Sequence, residues 1–193
     1  MKIAIVGAGR VGTTLGQRWA AGGHDVVYGV RDPAGPRQAG LPSAAFPAEA
    51  VRGADVVVLS LPWAAVEDVV GGLELSGVVV VDATNPLGAA GEVSGAERIA
   101  TWAPGARVVK AFNTTGWENM ADPAYPEGRP AMLVAADDAG AKDAVLALAA
   151  ELGFDAIDAG PLVAARELEA LAALWIRLSR THGRQIAFAL LRR

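Results

Sequence analysis

The sequence predicts an α/β fold: a doubly wound, mostly parallel sheet over residues 1–160, followed by a small all-helical part over residues 161–193. Three observations predict it. Short runs rich in Val, Ile and Leu recur through the first 160 residues, as parallel strands buried on both faces require. Helix-like segments separate these runs, the alternation that builds such sheets. After Gly160-Pro161 the strand signal stops and only helical spacing is left.

In order, "IAIV" gives a strand at Ile3–Val6, and Arg10–Ala21 follows as a helix whose Val11, Leu15 and Trp19, four apart, face the sheet. "DVVYGV" is a second strand, Asp25–Val30, and the Pro- and Gly-rich Asp32–Pro42 is an irregular loop. A helix at Pro47–Arg52, a strand at Asp55–Leu61, a helix at Trp63–Gly71 and a strand at Val78–Asp82 come next. Ala96–Ala103 reads as helix and Arg107–Phe112 as strand; Asp122–Pro130, with three prolines, is expected to project as an ordered lip. Ala131–Ala135 and Phe154–Asp158 are strands on either side of a helix at Ala139–Leu152. In the tail Leu168, Leu171, Leu174, Trp175 and Leu178 form one apolar stripe. Gly183 breaks or bends that helix, leaving Ile186, Phe188, Leu190 and Leu191 as a last helical piece, packed on the sheet or on a second subunit.

Composition narrows the function. Cysteine is absent, which excludes disulfides, thiolate metal sites and redox thiols. The net charge is −4 with no basic block, so no nucleic-acid partner is expected. No apolar run reaches the ~20 residues that cross a bilayer, so no membrane partner is expected and the location is read as cytoplasmic. No metal-ligating cluster and no acyl-transfer motif is present; His24 and His182 read as structural.

Gly7, Gly9 and Gly12 give G-x-G-x-x-G straight after the first strand and at the mouth of the first helix. Gly7 permits the tight turn, Gly9 lets the backbone approach a pyrophosphate, and Gly12 allows close helix–sheet packing. The helix N-terminus then offers free N–H groups and a positive dipole end to the anion. In a Gly-rich chain this spacing alone is a weak signal. Strand, motif, helix and second strand within about thirty residues is a much stronger one, and marks a Rossmann-type dinucleotide site.

The second strand ends "YGVRDP". Arg31 stands where an NAD site would carry an acid for the ribose hydroxyl, and a guanidinium suits a 2′-phosphate instead. Arg37 adds a second charge from the same loop. The reading favours NADP over NAD, with Asp32 as the alternative ribose partner. "LSLPW", "DATNP", "KAFNTT" and "DAGPL" each follow a strand and are expected along one edge of the sheet. Asn85 and Asn113 offer amides, while Leu61, Pro62, Pro86 and Phe112 offer flat apolar contact suited to sandwiching a ring.

On these motifs the chain resembles the NADPH-dependent reductases of the 8-hydroxy-5-deazaflavin coenzyme F-420, and it is similar to the cytosolic reductase domain of the STEAP metalloreductases. "VGAGRVG", "GVRDP", "LPW", "DATNP", "KAFNT", "DAGPL" and the helical tail carry the resemblance over nearly the whole chain. It implies NADP(H) as cofactor and direct hydride transfer to a deazaflavin or flavin ring, with no catalytic acid or base. Carried over by position, Gly7, Ala8, Gly9, Arg10 and Val11 hold the pyrophosphate and Arg31 the 2′-phosphate. Leu61 and Pro62 lie by the nicotinamide half, and Asn85, Pro86, Phe112, Asn113 and Leu162 line the second ring. A homodimer is implied as well. Two departures stand out: Val30-Arg31 followed by Asp32-Pro33 in place of a Ser-Arg pair with further basic residues, and Ala64-Ala65 where a polar residue often follows "PW". Two other readings stay open. One is reduction of a carbonyl or imine, with Tyr125 or Lys110 as proton donor; the other is a non-catalytic NADP(H) sensor or partner-binding module.

Overall fold

In a computed structural model, residues 1–87 and 92–193 are described. One sheet of eight strands organises them, in the order β3-β2-β1-β4-β5-β6-β7-β8. The strands are β1 (Lys2–Val6), β2 (Asp25–Gly29), β3 (Ala44–Ala45), β4 (Val56–Leu59), β5 (Val79–Asp82), β6 (Arg107–Lys110), β7 (Ala131–Ala136) and β8 (Asp155–Gly160). The helices are α1 (Arg10–Ala21), α2 (Pro47–Ala50), α3 (Val66–Gly71), α4 (Gly95–Trp102), α5 (Trp117–Ala121), α6 (Ala139–Glu151) and α7 (Ala165–His182). Strands β1 to β6 are mutually parallel, so their C-terminal ends share one edge, and the strand order reverses between β1 and β4. That reversal is where open α/β sheets bind ligands.

The continuous Val runs are buried because helices cover both faces. On one face Ile3, Ile5, Val58 and Val81 meet Leu15 and Trp19 of α1 and Val145 and Leu148 of α6. On the other Ala4, Val57, Leu59 and Val80 meet Val66, Val70, Ile99 and Ala165. Among the described residues no helix is long and apolar enough to cross a membrane.

The structure departs from the sequence reading at the far side of the sheet. Strand β7 runs antiparallel to β6, and β8 follows β7. The chain therefore leaves β8 heading away from the edge reached by β4, β5 and β6. "DAGPL" does not join the other three segments there. The N–H of Leu162 donates to Asp137, just past the Val109–Ala136 pair, and its side chain is buried with Ile99, Ala103 and Val108. Leu162 is a core residue at the base of β6 and does not line a second-ring site.

Helix α7 also differs in detail. It buries Ala165, Leu168, Ala172, Trp175 and Ser179, a helical stripe that leaves Leu171 and Leu178 half-buried and Leu174 exposed. The expected last helical piece is not helical: after Gly183 (φ +80) the chain runs without helical bonding. Its carbonyls are taken instead by distant donors, Ile186 by the indole of Trp175 at 2.8 Å and Phe188 by the N–H of Ala131 at 2.8 Å. Those bonds satisfy the tail as a strap, leaving a helix nothing to gain. The Pro-rich lip closes as a tight turn with a Tyr125–Gly128 bridge.

Candidate functional site: a dinucleotide cradle and a braced second side

The loop from β1 into α1 is shaped by what surrounds its glycines. Gly7 has φ +108, and a Cβ there would lie 2.3 Å from the carbonyl oxygen of Ser60. A Cβ on Gly12 would lie 2.1 Å from the carbonyl oxygen of Gly7. At Gly9 a Cβ would meet nothing within 4 Å. Two glycines thus close the turn, and the third opens it. The first helical bond runs from the Thr13 N–H to the Gly9 carbonyl, so the N–H groups of Arg10, Val11 and Gly12 precede it. Gly9 offers no side-chain cap and the first turn holds no acid. Ala8 and Val11 are half-buried, at the flank of the core. Open space, free N–H groups and a positive dipole end fit a pyrophosphate.

The loop after β2 is lined by charge. Arg31 and Arg37 are exposed, and with Arg10 they take no part in any ion pair among the described residues. Asp32 folds over its own turn: its carbonyl accepts from the Gly35 N–H at 3.2 Å, and a Cβ on Gly35 would lie 2.5 Å from its carboxylate. The carboxylate lies over its own turn, exposed, and the guanidinium next to it has no ion-pair partner among the described residues.

Across the strand reversal, Leu61 is half-buried against Gly7 and Pro62 is exposed. Trp63 stacks at 5.5 Å on Trp102, and its ring edge rests on Gly95, where a Cβ would be 2.9 Å away. The ends of β5 and β6 are tied by a buried polar network. Lys110, with no solvent exposure, donates to Asp82 (2.8 Å), Glu169 (2.8 Å) and the Thr84 carbonyl (2.7 Å). Three donors meet three acceptors, so Lys110 is a strut and has no proton donor left for a substrate. Asp82 also accepts from Thr84, and Glu169 also accepts from the Gly95 N–H that opens α4. Above it Asn85 and Asn113 clasp one another: Asn85 donates to the Asn113 carbonyl at 3.0 Å, and Asn113 donates to Asn85 at 3.1 Å and to the Leu168 carbonyl at 3.1 Å. The Asn113 side-chain oxygen is left buried without a partner. Pro86 is buried beside the clasp.

Phe112 is a second correction. It leaves β6 with φ +59, the one non-glycine residue in the left-handed region among the described residues, which turns its ring edge-on against Trp19 at 5.5 Å in the core. It positions the Asn113 loop from below and offers no ring to the edge. Tyr125 is equally engaged, its hydroxyl donating to Asn119 at 2.8 Å, and burial pushes its ionisation upward, with nearby Asp122 adding to the effect. Glu169 and Trp117 were not singled out from sequence. Glu169 reads there as one more charge on an amphipathic helix, and only the fold brings it to Lys110.

Glu97 closes the outer side of this region. It completes a capping box with Ser94 at the start of α4 and takes a bidentate pair from Arg166. The Arg166 hydrogen bonds, with those from Ser94, lower its carboxyl to about 2.

Comparison with known proteins fits this geometry. The model of the NADP oxidoreductase family, coenzyme F420-dependent, matches residues 2–86. An F420-dependent NADP reductase from Methanothermobacter thermautotrophicus is 32% identical, covering 93% of this chain and 89% of that protein. Metalloreductase STEAP3 from Rattus norvegicus is 34% identical over 88% of this chain, which spans 36% of that protein's length. The crystal structure of a candidate F420-dependent NADP reductase from Arthrobacter sp. FB24 superposes over the full length of both chains, with a TM-score of 0.87 and 31% identity. A reductive aminase from Aspergillus terreus shares the fold at a TM-score of 0.69 and 24% identity.

Proposed function

The chain belongs to the coenzyme F420-dependent NADP oxidoreductase family, and from that premise we propose that it moves hydride between NADP(H) and a deazaflavin, coenzyme F420, or a flavin. NADPH, when bound, supplies a hydride from its nicotinamide, and the acceptor ring takes that hydride with one proton from solvent. The protein's part is to hold two rings face to face.

The observation that carries the reading is the contrast at the first loop. Gly7 and Gly12 are filled tightly by Ser60 and by the turn itself, while Gly9 faces open space next to Arg10 and at the same sheet edge as the end of β2, which Arg31 and Arg37 follow, all three exposed. Gly9 and the N–H groups of Arg10 to Gly12 would hold the pyrophosphate. Arg31, helped by Arg37, would hold the 2′-phosphate and set the preference for NADP. Leu61 and Pro62 would flank the nicotinamide half. The Asn85–Asn113 clasp would present amide edges to the second ring. With Lys110 fully engaged and Tyr125 bonded to Asn119, the reading needs no catalytic acid or base. The partly exposed stripe Leu171, Leu174 and Leu178 on α7 supports a homodimer, which sedimentation would test by mass.

The test is a stopped-flow mix of the protein with NADPH and oxidised coenzyme F420, with FMN, FAD and NADH as parallel arms. Bleaching of the deazaflavin or flavin band with NADPH, and slow or no bleaching with NADH, is the expected result. Tight NADPH binding with no bleaching in any arm overturns the acceptor and leaves the dinucleotide site standing.

A further inference from the structure

Five tryptophans are present, and four are fixed by a partner. Trp19 donates to the Leu148 carbonyl at 3.2 Å and Trp175 to the Ile186 carbonyl at 2.8 Å, while Trp63 and Trp102 stack on each other. Trp117 differs. Its indole N–H is buried without an acceptor among the described residues, the ring is only half-buried, and the guanidinium of Arg10 lies over its face, 5.7 Å from the ring centre. Arg10 is the first residue of α1, directly after the open Gly9. Trp117 is the first residue of α5, at the end of the loop that carries Asn113. The two helices pack together, with Arg18 of α1 donating to the Ala121 carbonyl of α5 at 2.8 Å. The Arg10–Trp117 contact therefore bridges the two halves of the ligand edge.

Resting on the reading above, we infer that Trp117 is the stacking platform for the flat heteroaromatic acceptor, and that Arg10 covers it until a dinucleotide phosphate draws the guanidinium away. Arg10 has two competing partners. An exposed cation–ring contact is weak, and this one lies near the outer limit of such contacts. A phosphate oxygen offers a charge-assisted bond and a full opposite charge, so it wins. Arg10 moves toward Gly9 and the indole face is freed for a neutral, electron-poor ring, which stacks without the desolvation that a cation pays. The arrangement makes binding ordered: dinucleotide first, acceptor second.

Two measurements test this. NADP+, which does not absorb where tryptophan emits, is titrated into the wild type and into W117F, and the emission difference reports Trp117 alone. A change in that difference that saturates with NADP+ is expected; a difference that stays flat overturns the Arg10 exchange. This arm needs no turnover, so it stands even if no acceptor is reduced. In steady state W117L is expected to raise the acceptor KM about tenfold, with NADPH affinity within about twofold of wild type and W117F close to wild type. An unchanged acceptor KM in W117L, or equal loss in W117F and W117L, overturns the platform. If W117L does not fold, W117F and W117H carry the comparison, and His raising KM more than Phe is the supporting result.

Discussion

The two halves of the ligand edge are built on different principles. The β1–β2 half is made of backbone and unpaired charge: three glycines, three exposed guanidiniums and a helix end whose first N–H groups have no intrahelical acceptor. The β5–β6 half is made of side chains that engage each other: Asp82, Lys110, Glu169 and the Asn85–Asn113 clasp, gathered from three separate segments. One half waits for charge and the other has its ammonium already engaged by its own carboxylates. A phosphate supplies its own counter-charge to loose arginines, whereas a flat, nearly neutral ring gains most from walls that do not move.

The contrast is broken most severely at Lys110. K110M leaves two carboxylates without their shared ammonium, one of them fully buried, and is expected to cost about 3–5 kcal/mol of stability in chemical denaturation. A loss below about 1 kcal/mol would mean that the network is not the brace described here. On the opposite half, G12A places a methyl 2.1 Å from the Gly7 carbonyl oxygen. It is expected to cost about 1–3 kcal/mol and to weaken NADPH binding by about tenfold or more, read by calorimetry. R31A sharpens the comparison without touching the core: Arg31 has no ion-pair partner to leave stranded, so the melting temperature should stay put. Its NADPH Kd should rise about tenfold with NADH affinity nearly unchanged. An equal fall for both dinucleotides would return the ribose to Asp32.

Legibility follows the same division. Gly7, Gly9, Gly12 and Arg31 stand within thirty residues of one another, so their place in the strand, helix and second strand singles them out in the sequence. The strands β1, β2, β4, β5 and β6 were readable because burial on both faces writes continuous apolar runs, whereas the two-residue β3, Ala44–Ala45, carries no such run and was not among the expected strands. Leu162 and Phe112 misled because chain order says nothing of direction: one antiparallel step at β7 carried Leu162 to the base of β6, and one left-handed residue turned the ring of Phe112 into the core. Glu169 had no local signal, since an acid on an amphipathic helix is ordinary until a buried lysine is found opposite it.

The smallest effect lies on the rim of the braced half. Glu97 keeps its carboxyl charged down to about 2 because Arg166 and Ser94 bond the ionised form. A group whose ionisation is lowered on folding stabilises the fold fully above its unfolded value, and that contribution is lost as pH falls through the folded one. The pair is partly exposed, so water screens it and its worth is modest. E97Q keeps a capping-box side chain for the Ser94 N–H but gives Arg166 no charge. It should lower the melting temperature by about 1–2 °C at neutral pH. The gap between wild type and E97Q should close between the usual carboxylate value of 4.5 and about 2. A gap that persists at the acid end would assign the effect to the shape of the cap. The same gap measured in high salt should shrink, whereas the loss in K110M, shielded from solvent, should not.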